Sequence, residues 1–192
     1  MIVPAAPGPR RAAWGKADRS AQSFHHLAHH SADVAAVFLA ILDQPIWRAR
    51  AERALGRRLM ATEIRCLAAL VFLHDIGKLA PGFQAKAWPQ GHGLVLRGHL
   101  ECGWYWTNLQ RADALAGAVT HIARWPQMGE WLAALFAHHG RPVAGPRDGV
   151  ARAAFPTHPW YDWHAEEAVL GRALLNWFPE IATASPPSLD PA

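Results

Sequence analysis

The sequence predicts an all-α fold in a single domain, on three observations. Apolar residues recur at three- and four-residue steps in several separate stretches, the period of one buried helical face. Those stretches stop at glycine and proline, which tolerate or force a break in the helical ladder. No segment shows convincing strand alternation or an internal repeat. At 192 residues and 51% hydrophobic, the chain can bury one sizeable core.

Bulk composition narrows the class further. No apolar run reaches the roughly 18 residues of a membrane span. Residues 1–11 carry Pro4, Pro7 and Pro9 without a continuous apolar region, so they do not read as a signal peptide. A cytoplasmic protein with no membrane partner is expected. Cys66 and Cys102 are the only cysteines, which excludes a disulfide framework or a Cys-rich zinc site and predicts buried free thiols. The net charge of +4 is compatible with a polyanionic partner, although the arginines are scattered along the chain. Twelve histidines say more, because they cluster, and clustered imidazoles point to transition-metal ligation. Most of the ten tryptophans are expected to pack the core, with a minority free to stack on unpaired bases.

Taken in order, residues 1–13 read as a flexible, Pro-rich lead-in. Trp14-Gly15-Lys16 and the run from Phe24 to Asp33 follow. Val34, Val37, Phe38 and Ile41 then mark a helix whose buried face extends back to His30. Asp33 is placed to orient the His30 ring, and His25, His26 and His29 are expected at the surface or behind the ligands. Asp43-Gln44-Pro45 closes that helix, and residues 46–60 form an Arg-rich, partly exposed helix or connection.

The central helix runs from Thr62 through Ile64, Leu67, Ala68, Val71 and Phe72 into His74-Asp75-Ile76-Gly77-Lys78. An imidazole and a carboxylate on its last buried turn are costly to bury unless they are paired or coordinate a metal. Residues 81–97, broken repeatedly by Gly and Pro, are expected to form a mobile basic and aromatic loop over the substrate. A helix resumes at Gly98, with His99 in its first turn. His92 competes with His99 for a place at the site but has only glycine neighbours. A helix over 113–124 holds His121 as an ordinary polar residue. Trp131, Leu132, Leu135 and Phe136 define another helix, ending in His138-His139-Gly140 with Pro142 beyond. Residues 143–163 read as loop, a last helix runs through Val169, Ala173, Leu174 and Trp177, and residues 185–192 are expected to be disordered.

The inward candidates are His30, His74, Asp75, His99, His138 and His139, drawn from four helices. Five imidazoles and one carboxylate suit Mn, Co, Ni, Fe or Zn better than Mg or Ca. More than four ligands suggest two divalent ions. Asp75 could bridge them, and ions about 3.5 to 4 Å apart are the arrangement that cleaves phosphate esters. Lys78 is placed to hold a phosphate oxygen as a point charge.

These segments resemble the HD metal-dependent phosphohydrolase superfamily, and more narrowly the HD nuclease domain that begins the CRISPR-associated nuclease-helicase of type I systems. Trp14-Gly15-Lys16, Phe24-His25 through Val37, Leu73 through Lys78 with Phe83-Gln84-Ala85-Lys86, and Ala137 through Pro142 carry the likeness. The resemblance implies an HD-type helical bundle over residues 14–184 that cuts single-stranded DNA with transition metals. It would work beside a helicase and an RNA-guided surveillance complex. By motif position His30, His74 and Asp75 would serve one ion, and Asp75, His99, His138 and His139 the other. Two departures stand: no helicase motif is present, and the family's late aspartate is not found, Asp148, Asp162 and Asp190 being the only aspartates after His139. Hydrolysis of nucleotides or phosphomonoesters, or an inactive, shortened binding module, are the alternatives.

Overall fold

The computed structural model describes residues 11–18, 23–141 and 150–190. The chain opens on an antiparallel hairpin, β1 (Trp14–Asp18) with β2 (Ser23–His26), pairing Trp14 with His26 and Lys16 with His25 across an irregular step. This hairpin departs from the expectation of no strands. Strands of five and four residues are too short for alternation to stand out in sequence, and β2 runs straight into a helix.

That helix, α1 (Leu27–Asp43), is capped by the His26 ring, whose Nδ1 accepts from Ala28 N. The exposed α2 (Pro45–Leu55) starts on its proline and ends at Gly56. The central helix α3 (Ala61–Phe72) begins at a capping box in which Glu63 returns to Met60 N at 2.9 Å while pairing with Arg57. It ends at Leu73, one turn earlier than the sequence suggests. His74 and Asp75 therefore lie in the turn that links it to a 3-10 helix, Ile76–Leu79.

Next come α4 (Pro81–Gln84), a 3-10 turn Ala85–Ala87, and α5 (His99–Thr107). Pro81 through Ala85 are buried, so the first part of the expected covering loop is core. The helix expected over 113–124 is instead a 3-10 turn, Ala114–Gly117, followed by α6 (Val119–Ile122). Leu115 and Ala116 have φ near +53° and +54°, and the Leu115 backbone lies so close to Gly171 that a Cβ there would come within 2.0 Å of it. Close packing overrides helical propensity at that point. The chain completes α7 (Met128–Phe136), α8 (Val150–Ala154) and α9 (Trp163–Trp177), the last capped by Asp162.

One core joins α1, α3, α5, α7 and α9, with Phe72, Leu79, Leu115, Phe136, Leu170 and Leu174 almost fully enclosed. α1 and the 3-10 turn after α3 are flanked by the hairpin and α5 respectively, which brings distant segments to Asp75. Both cysteines are buried free thiols, and burial pushes Cys66 up to about 11 and Cys102 up to about 12. At the ends, Ala13 is enclosed and its carbonyl accepts from Leu27 N, while residues 1–10 lie outside the described residues. Pro186 and Pro187 are buried and Leu189 N donates to Gln127 Oε1 at 2.6 Å, so 185–190 pack rather than trail free. Among the described residues no single helix is long and apolar enough to cross a membrane. The apolar stretch Ala61–Ala87 is bent by 77° at its break and forms the core.

Candidate metal centre

Asp75 caps the 3-10 turn and is only 2% exposed. An isolated buried carboxylate is costly, so its surroundings must compensate it. They do so differently on its two oxygens. Oδ2 lies 2.9 Å from His30 Nε2, 2.9 Å from His74 Nε2 and 2.6 Å from Lys78 Nζ. Oδ1 lies 3.2 Å from His99 Nε2 and 3.8 Å from His138 Nε2. His139 completes the second set, its ring 5.0 Å from that of His99 and 4.6 Å from that of His138. Donor atoms thus form two groups, each within 4.8 Å of one another: His30, His74 and Asp75, and His99, His138 and His139.

Local structure aims these rings. His74 and His138 each donate Nδ1–H to the carbonyl three residues earlier, Val71 O and Leu135 O, both at 2.8 Å. That bond fixes the tautomer and leaves the Nε2 lone pair facing Asp75. Two lone pairs 2.9 Å apart, His74 Nε2 and Asp75 Oδ2, then confront each other and require a proton or a cation between them. On the other side Asp75 Oδ1 and His99 Nε2 are both buried without a hydrogen-bond partner among the described residues. Orphaned polar atoms aimed into one space, with imidazole and carboxylate donors, fit divalent transition ions.

The electrostatics agree with that fit. Burial would raise the Asp75 carboxyl, but the His30 and His74 rings, each with Nε2 2.9 Å from Oδ2, and the Lys78 ammonium outweigh it and hold the group well below the usual carboxylate range. Burial lowers His99 to about 4, against the opposing pull of Asp75. Burial lowers His138 as well. Neutral imidazole is the form that ligates a metal.

Two glycines make the convergence possible. A Cβ on Gly77 would stand 1.9 Å from His99 O and 2.4 Å from Gly103 N, so only glycine lets α5 approach closely enough for His99 to reach Asp75. A Cβ on Gly15 would stand 2.6 Å from His30 Cβ. His30 therefore rests on the bare backbone of β1.

Other expected residues are placed elsewhere. Asp33 does not orient His30, because its carboxylate faces outward and pairs with His25 Nε2 at 3.0 Å. His26 caps α1 and meets Glu166 Oε2 at 3.1 Å, and His29 is exposed. His92 stays outside both groups; its Nδ1 accepts from Leu94 N and its carbonyl from His158 Nε2. His121 lies in α6, also apart from both groups. Trp88 packs against His158, Trp160 and Tyr161, and Trp163 is buried, so these rings are largely spent on one another rather than free to stack on bases. Asp162 and Asp190 serve α9 and Ser188 respectively, and Asp148 lies outside the described residues. Among the described residues Asp75 is the carboxylate of these groups.

The sequence reading gave Gln84 no role of its own. It is fully enclosed, its Nε2 donates to Trp14 O at 3.0 Å and to Lys78 O at 2.7 Å, and its Oε1 accepts from Trp14 N at 3.0 Å. Its carbonyl takes the Trp14 indole N–H at 3.1 Å. Its signals were a polar residue beside Phe83 in a segment that reads as loop, and its place in the Phe83-Gln84-Ala85-Lys86 stretch that carries the family likeness. A cavity of about 470 Å³ also went unseen; it runs between α1, α3 and α7, lined by Phe38, Leu70, Val71, Trp131, His74 and His138 among others.

A helical domain that gathers a His-Asp pair and four further histidines around one buried carboxylate is of the HD type. The comparisons place it more narrowly. The family described as "Cas3, HD domain" matches residues 14–191, and the chain belongs to that family. It is 36% identical over 152 residues to the "CRISPR-associated endonuclease/helicase Cas3" of Thermus thermophilus, a match spanning 73% of this chain and 16% of that protein. Crystal structures of T. fusca Cas3, with AMPPNP and without it, share the fold at a TM-score of 0.61 with 23% and 24% identity, covering 94% of this chain and 20% of theirs.

Proposed function

We propose that this chain is a metal-dependent nuclease domain that hydrolyses phosphodiester bonds of single-stranded DNA in CRISPR interference. The observation that carries the reading is the division of labour on Asp75, with Oδ2 toward His30 and His74 and Oδ1 toward His99 and His138. In this reading His30, His74 and Asp75 hold one divalent ion, and Asp75, His99, His138 and His139 the other, with Mn, Co, Ni, Fe or Zn as the candidates. Bound there, the ions supply Lewis acidity, lowering the pKa of a water and offsetting charge that develops on the phosphoryl oxygens.

The chain's own residues do the rest. Asp75 shares its charge between the two sites. His74 and His138, fixed by their carbonyl bonds, present lone pairs without reorganisation. Lys78 is held by Asp75 Oδ2 and by Gly15 O, each at 2.6 Å, and keeps its third N–H for a phosphate oxygen. The apolar and aromatic cavity that opens at His74 and His138 suits the faces of bases better than a lone phosphomonoester. A helicase, on the same polypeptide or a separate one, and an RNA-guided surveillance complex are the proposed partners, in the cytoplasm.

The test is incubation of the purified protein with circular single-stranded DNA and with a nucleotide panel, across Mn, Co, Ni, Fe and Mg. Linearised and degraded circles, abolished by His74→Ala and by Asp75→Ala, are the expected result. Phosphate release from nucleotides alone would replace this reading with a phosphohydrolase, and bound metal without turnover would leave a binding module.

A further inference from the structure

We infer that Gln84 is the positioning residue of the His30 side of the centre, an inference that rests on the two-ion reading above. No hydrogen bond of Gln84 reaches a ligand directly; its influence passes through β1. Its amide brackets Trp14 from both sides, accepting from Trp14 N and donating to Trp14 O, while the second amide hydrogen goes to Lys78 O. With the indole bond to Gln84 O, these contacts fix Trp14 on α4 and tie it to the 3-10 turn that carries Lys78.

Gly15 follows Trp14 directly, and two features of the centre rest on it. The His30 side chain packs against its α-carbon, where a Cβ would stand 2.6 Å from His30 Cβ. Its carbonyl accepts from Lys78 Nζ at 2.6 Å, and that ammonium is also 2.6 Å from Asp75 Oδ2. A shift of β1 therefore moves the floor under His30 and the partner of Lys78 together, and both converge on Oδ2. The Oδ1 side hangs on other parts, Gly77 against α5 and the bond of His138, just beyond α7, to the Leu135 carbonyl. A buried side chain that supports a ligand from behind typically changes metal affinity by about 10- to 100-fold when removed.

The clamp predicts a one-sided loss. Gln84→Met keeps the volume and deletes all three side-chain hydrogen bonds, whereas Trp14→Phe keeps the aromatic packing on Phe83 and deletes only the indole bond. Two readouts apply to each variant and the wild type: imidazole ¹H–¹⁵N spectra of the metal-free protein, and Mn²⁺ titration followed by calorimetry. The expected result is that His30 resonances move while those of His99 and His138 stay. One of two Mn²⁺ affinities should fall roughly 10- to 100-fold in Gln84→Met and less in Trp14→Phe. Should Gln84→Met fail to fold, Gln84→Asn decides the matter, because it keeps a buried amide while shortening its reach to Trp14 and Lys78. Equal disturbance of both sets of histidines, or of neither, would overturn the proposal. If the wild type binds no Mn²⁺, the two-ion reading fails, and the imidazole spectra still decide whether Gln84 positions His30.

Discussion

The two sides of Asp75 carry the same chemistry on unlike scaffolds. On Oδ2, His30 comes from α1 and is seated on a two-stranded hairpin held by one buried glutamine, with a lysine sharing the same oxygen. On Oδ1, His99, His138 and His139 come from the start of α5 and the end of α7, two helices packed directly against the core. A clamp of hydrogen bonds between distant segments can be loosened one bond at a time. A backbone-to-backbone approach such as that of Gly77 and His99 admits no intermediate adjustment. The Oδ1 side is thus expected to be the more rigid, and the Oδ2 side the one whose occupancy can be tuned.

The sharpest way to break that contrast is Gly77→Ala. Its Cβ would meet main-chain atoms at 1.9 and 2.4 Å, so α5 must retreat, and we expect about 3 kcal/mol of destabilisation with loss of the Oδ1 site, measured by chemical denaturation and metal titration. Gly15→Ala meets His30 Cβ at 2.6 Å instead, an atom fixed to the α1 backbone, so the short hairpin rather than α5 must give way. It should cost about 1 to 2 kcal/mol and weaken only the Oδ2 site. Equal metal losses in the two variants would erase the distinction.

Lys78→Met comes next. Removing a cation 2.6 Å from Oδ2 should tighten divalent-ion binding on that side, by roughly tenfold or about 1.4 kcal/mol, while lowering turnover of DNA. Unchanged affinity would mean that Lys78 does not compete for the oxygen.

The last effect concerns acid. The folded-state value of His99, about 4, lies below its ordinary 6.5, so the unfolded chain binds the proton more readily. Stability of the metal-free protein that is present above pH 6.5 should therefore be lost as pH falls toward 4. Replacing His99 with Leu should shallow that decline in melting temperature across the same window. An NMR midpoint for His99 near 6.5 would contradict the burial that sets it.

Most of the two donor groups was legible in sequence because their members stand where local grammar is strong. His74 and Asp75 follow a periodic apolar run, and His138 and His139 precede Gly140 at a helix end. Side-chain period alone put His30 on the inward face of α1. What remained hidden depends on partners far along the chain. Gln84 acts across 70 residues to Trp14, and nothing near it in sequence announces that. The hairpin is shorter than its own alternation signal, and the break at Leu115 exists because Gly171 of α9 lets the backbone in. Asp33 misled for the complementary reason: spacing along a helix allows a contact to His30, but the neighbouring His25 offered a more exposed one that needs no burial of charge.

The most direct measurement is electron paramagnetic resonance of the protein titrated with Mn²⁺. A carboxylate shared between two ions couples their spins, so the account predicts an exchange-coupled pair spectrum at two equivalents, lost in Asp75→Asn. Isolated six-line Mn²⁺ signals at every loading, or binding that persists unchanged in Asp75→Asn, would contradict it.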